Sequence, residues 1–95
     1  MNLTTDQLSL IEEYASNLMT WAEISILLDI HDGSLIEEFM NKNSQAYRAY
    51  EKGKVKTFLA IRKNIVEDAK RGAPHSEVMA LELINNQKIN ETDIL

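Results

Sequence analysis

Apolar positions along this chain recur at helical spacing. Leu8, Ile11, Ala15, Leu18 and Met19 mark a first helix, opened by Thr4 or Thr5 as its cap. Thr20-Trp21-Ala22-Glu23 reads as a capping box, in which the Thr hydroxyl accepts an orphan N–H and the Glu side chain reaches back. It opens a short second helix carrying Ile24, Leu27 and Leu28. Asp29 to Gly33 is a turn, and Asp32 or Ser34 is the expected cap of a short third helix bearing Leu35, Ile36, Phe39 and Met40. After the break at Asn41-Lys42-Asn43-Ser44, a long helix is expected over about 45–70, interrupted in propensity by Gly53, which marks a kink or a close helix contact. Gly72 suits the left-handed residue past its end, and Pro74 suits the first turn of a closing helix over about 74–87.

No stretch alternates as a strand would, and the chain has only one Pro and three Gly. The expected fold is all-α: a helix-turn-helix trihelical unit (the pair over about 20–41), then the long helix and the closing helix. A length of 95 residues suits one domain, read as 1–88, with 89–95 a loosely ordered tail. Cysteine is absent, which removes disulfides and thiolate zinc sites. No apolar run approaches the ~20 residues of a membrane span, and the N-terminus lacks the pattern of a signal peptide. These features are read as those of a soluble, cytoplasmic protein without a membrane partner.

Charge changes the picture. The net charge of -5 conceals a strong asymmetry: residues 1–41 hold eight acids and no base, whereas 42–71 hold nine of the ten bases against three acids. At ~100° per residue, Arg48, Lys52, Lys56, Lys63 and Lys70 share one sector of the long helix, opposite an apolar sector that includes Tyr47, Tyr50, Phe58, Ile61, Ile65 and Ala69. Leu59 and Val66 intrude on the cationic side. Lys42 adds charge nearby. Three readings stay open: a solvated face, a phosphate-binding stripe formed by Lys42, Arg48, Lys52, Lys56, Lys63 and Lys70, and a dock for an acidic protein surface.

In the segment Thr20 to Ile30, Ser25 takes the small position where two helices approach, and Asp29 stands where a turn Gly is usual. The next helix would then be the recognition helix. Its polar positions are Ser34, Glu37 and Glu38; Ser34 and Glu37 are the candidates for base contacts, and the carboxylates argue against strong groove readout. Val78, Met79, Leu81, Leu83 and Ile84 form a wide apolar face on the closing helix, expected to support self-association.

Enzyme chemistry finds no support. His31 and His75 lack partners at metal spacing, Glu12-Glu13 and Glu37-Glu38 read as solvated faces, and there is neither a phosphate-cradling Gly-rich loop nor a nucleophile elbow. No catalytic residue, metal or cofactor is expected. Trp21, Tyr47 and Tyr50 read as packing residues.

Leu3-Thr4 through Ile11-Glu12, then Thr20-Trp21-Ala22-Glu23-Ile24, Tyr50-x-x-Gly53-Lys54, Ile61-Arg62-Lys63-Asn64-Ile65 and Ala69-Lys70-Arg71-Gly72 follow one another in an order that resembles the N-terminal part of small terminase subunits of tailed phages and prophages, over roughly residues 3–88. The resemblance implies a non-catalytic protein that recognises the packaging site on double-stranded viral DNA, assembles as a homo-oligomer, and loads the terminase large subunit. The alternative is a small helical adaptor or phage regulatory protein whose basic helix docks an acidic partner.

Overall fold

The structure is a computed structural model that describes the backbone of residues 1–94 and the side chains of residues 1–86. Among the described residues it is all-α, with helices α1 (Thr5–Ser16), α2 (Trp21–Leu27), α3 (Ser34–Met40), α4 (Gln45–Lys70) and α5 (Pro74–Ile94). α5 is assigned past the expected end near residue 87; the side chains of the expected tail, 89–95, and Leu95 itself lie outside the described residues. The chain divides into two units, Met1–Thr57 and Phe58–Leu95, with the boundary inside α4.

Capping residues set the starts of the first two helices. The Thr4 hydroxyl accepts from the Gln7 N–H at 3.1 Å while the Gln7 side chain accepts from the Thr4 N–H at 2.9 Å. Thr20 and Glu23 repeat the arrangement at 3.2 and 2.8 Å, so two orphan donors are satisfied at each end. α3 departs from expectation. Its N-cap is Gly33, with φ 83°, rather than Asp32 or Ser34. Asp32 acts one position earlier, its carboxylate accepting from both the Ser34 N–H (3.0 Å) and the Ser34 hydroxyl (2.7 Å).

Three helices end in one way. At the ends of α1, α2 and α4 the N–H of the second residue past the cap reaches back to the carbonyl five residues earlier: Met19 to Tyr14, Ile30 to Ser25, and Ala73 to Asp68. This motif needs a left-handed residue between them, supplied by Leu18 (φ 61°), Asp29 (φ 61°) and Gly72 (φ 86°). Gly72 and Asp29 fit the expected turn chemistry. Leu18 does not: the apolar spacing places it on the α1 face, yet α1 ends at Ser16 and Leu18 is half-exposed beyond it.

The core lies in the first unit. Ile11, Ala15, Ile24, Leu35, Phe39 and Ala46 are buried, drawn from α1 to α4. Trp21 stacks on Phe39 with centroids 5.6 Å apart, and Tyr50 meets both rings at 6.0 and 5.5 Å. These offset and edge contacts tie α2, α3 and α4 together, and they place Trp21 and Tyr50 as packing residues. Ser25 is buried at the expected small position, its hydroxyl donating to the Trp21 carbonyl at 2.9 Å.

α1 and α4 approach most closely at Gly53. A Cβ built there would sit 2.1 Å from the Glu12 carbonyl oxygen and 3.0 Å from the Ala15 Cβ. The contact, not a kink, accounts for this glycine. Helix propensity favours Ala over Gly by ~1 kcal/mol, whereas forcing a methyl into backbone costs ~1–3 kcal/mol or more; the clash wins. Gly53→Ala is expected to lower the melting temperature in a thermal denaturation series. Leu18→Gly should act oppositely. It removes a left-handed penalty of ~1–2 kcal/mol, offset by the larger unfolded-state entropy of glycine. A rise of a few degrees in the same measurement is the expected outcome.

Candidate nucleic-acid interface

The predicted phosphate-binding residues are all exposed, and they divide between the two units. In the first unit, Lys42 lies in the turn before α4 and Arg48 in its first turn, where the guanidinium donates to the Asn43 carbonyl at 3.0 Å. Lys52 and Lys56 follow one turn apart, on either side of Gly53, and both reach Glu12 of α1. The Lys56 ammonium donates to Glu12 Oε2 at 2.6 Å and the Lys52 ammonium stands 3.6 Å from Oε1. The Thr57 hydroxyl donates to the Ser16 carbonyl, one of the orphan acceptors at the end of α1.

Glu12 is the residue that sequence reasoning missed. Read as half of a solvated Glu12-Glu13 pair, it instead holds two cations across a helix contact. The hydrogen bond from Lys56 is the main reason its carboxyl is held below the ordinary carboxylate value; partial desolvation opposes this, and the charges of both lysines add to it. A usable signal was present in the sequence. A lone Gly in a helix marks a close neighbour, and the lysines beside it at 52 and 56 project toward whatever that neighbour carries.

Other bases are also engaged. Lys54 is half-buried, 3.7 Å from Glu51 and 5.5 Å from the Tyr50 ring centroid. In the second unit, Arg71 takes Glu67 (4.0 Å) and Asp68 (3.3 Å), one helical turn before it. Lys63 and Lys70 are exposed and make no ion pair among the described residues.

The α3 surface is acidic. Glu37 is exposed in its first turn, and Glu38, half-buried, lies 3.4 Å from the N-terminal ammonium. Ser34 is half-buried with its hydroxyl donated to Asp32. That bond is the first cause of the lowered Asp32 pKa. Of the residues expected to support self-association, Val78, Leu81 and Ile84 are exposed, whereas Met79 and Leu83 are half-buried on the opposite side of α5.

Among the described residues no group of His, Asp or Glu is placed to hold a metal ion. His31 meets the Asp29 carboxylate at 2.6 Å on the surface, and His75 is exposed. No described helix is long and apolar enough to cross a membrane. No protein-family model, curated protein or solved structure matches the chain.

The pH dependence of stability follows from these carboxylates. Glu12, Glu23 and Asp32 all have lowered values, Glu23 chiefly through the Thr20 N–H. A depressed folded-state pKa contributes stability that is present above the unfolded value, ~4 for carboxylates, and is lost as pH falls through the folded value. Melting temperature should therefore drop as pH is lowered below ~4. Glu12→Gln should flatten part of that drop while lowering stability at neutral pH.

Proposed function

We propose that this chain is a non-catalytic, cytoplasmic DNA-binding protein of the small-terminase type, which recognises double-stranded viral DNA for packaging and loads a large subunit. The observation that carries this reading is the series of exposed bases along α4, assigned as an unbroken helix over Gln45–Lys70, beside a first 41 residues with no base at all. Lys42, Arg48, Lys52 and Lys56 of the first unit and Lys63 and Lys70 of the second hold phosphates. Glu12 offsets only one of the two charges at Lys52 and Lys56, so that pair keeps a positive balance toward a polyanion. Phosphate neutralisation by such residues gives affinity that is largely independent of sequence. Ser34 and Glu37 are the base-contact candidates in the helix-turn-helix reading of α2 and α3. Self-association uses the open side of α5 with Val78, Leu81 and Ile84, while Met79 and Leu83 are half-buried on the other side.

One observation favours the adaptor alternative. α3 presents Glu37 to solvent and commits the Ser34 hydroxyl to Asp32, which leaves little to read a base edge. In that reading the basic helix docks an acidic protein.

A duplex-binding titration against salt separates the two. The DNA reading predicts that log affinity falls with log salt at a slope of about -4 to -5 for four to six phosphate contacts. Lys42→Ala with Arg48→Ala, both outside the Glu12 clamp, should reduce the magnitude of that slope by about two and leave thermal stability nearly unchanged. Absence of duplex binding at low salt leaves the adaptor.

A further inference from the structure

We propose that Glu12 is a built-in stand-in for a phosphodiester: its carboxylate holds Lys52 and Lys56 until a nucleic-acid phosphate takes them, and so sets the affinity of this part of α4 for a polyanion. The inference rests on the DNA reading and deepens it. To an ammonium, a carboxylate and a phosphodiester present the same chemistry, one negative charge shared between two oxygens. Glu12 turns one oxygen to each lysine, Oε2 to Lys56 at 2.6 Å and Oε1 to Lys52 at 3.6 Å. The lysines stand one turn apart on α4, a spacing at which like charges repel. An anion placed between them removes that repulsion. Glu12 and a phosphate are therefore rivals for the same pair of cations.

The exchange needs no movement of the helices. Glu12 lies on α1 between the fully buried Ile11 and Ala15, and its carbonyl is the group that Gly53 approaches. The Thr57 hydroxyl ties the end of α1 to α4 through the Ser16 carbonyl. The Glu12 side chain is 28% exposed, whereas those of Lys52 and Lys56 are 66% and 57% exposed. The acid is thus the anchored partner, and the bases, on flexible four-carbon stems, are the ones that swing. Their release is unequal. Lys56 is hydrogen-bonded to the carboxylate, while Lys52 stands beyond hydrogen-bond distance. Lys52 is free to leave first, and Lys56 carries most of the cost. Once both have left, Glu12 has no other ion-pair partner among the described residues. Glu13 supplies the comparison: it has the same charge one position along, is exposed, and makes no ion pair among the described residues.

The test is duplex binding by the full chain across a salt series, at a temperature where circular dichroism shows every variant folded, with thermal denaturation of the same proteins. Glu12→Gln keeps the size of the side chain and removes the competing charge. It should bind duplex about two- to five-fold tighter than the wild type, with a log–log salt slope steeper by about one, although its melting temperature is lower. A residue that only braces the fold would lower both affinity and stability. Glu13→Gln makes the same change in net charge and should leave affinity and slope near the wild-type values. Lys52→Ala with Lys56→Ala should flatten the slope by about one in the wild type and by about two in Glu12→Gln. A wild type that fails to bind duplex at low salt overturns the DNA reading and this inference with it. A wild type that binds while Glu12→Gln binds no tighter, or while Glu13→Gln tightens binding as much, overturns this inference and leaves the DNA reading standing.

Discussion

The first unit depends on the close approach of α1 and α4. Gly53 removes the one side chain that would hold the helices apart, so backbone meets backbone at the Glu12 carbonyl. With the helices this close, lysine ammoniums one turn apart reach a single carboxylate, and the Thr57 hydroxyl reaches a carbonyl at the end of α1. The ion pairs are exposed and contribute little by themselves. Their value is positional: they flank the tight contact, and the first turns of α4 can then bring Ala46 and Tyr50 onto the core of Ile11, Ile24, Leu35 and Phe39.

The same contact bears on function. A basic helix in an acidic protein is drawn to its own acids first. Glu12 takes Lys52 and Lys56, Glu51 takes Lys54, and Glu67 and Asp68 take Arg71. What remains for a polyanion is the excess of bases over these partners. That excess is real because the acids of the first 41 residues are mostly elsewhere, on α2, α3 and the turn between them. Any anion approaching Lys52 or Lys56 would have to compete with Glu12 for their charge.

Much of the architecture was legible in the residues. The capping box at Thr20 and Glu23, the left-handed Asp29 and Gly72, Pro74 at a helix start and the break at 41–44 all act within a few residues of themselves. Local rules therefore place them. Leu18 escaped because its apolar character matched the α1 period while its backbone terminates the helix. The cap of α3 escaped because Asp32 satisfies Ser34 from one position outside the expected place. Of the candidate site, the exposure of the five bases on α4 agrees with the helical spacing, but the capture of two of them by Glu12 does not follow from spacing along one helix.

The sequence alone determined the helical class, the element order and the segregation of acid from base, because each is set by periodicity, by end signals or by simple composition. Tertiary structure decided what the charges do. Residue 12 is distant in sequence from residues 52 and 56, and only the Gly53 crossing makes it their neighbour. It also decided which apolar residues are spent on the core. The α5 pattern shows a wide apolar face, but burial splits it into a half-covered side with Met79 and Leu83 and an open side with Val78, Leu81 and Ile84. Hydrophobic spacing reports that a side chain seeks cover; the packed chain alone shows whether it has found any.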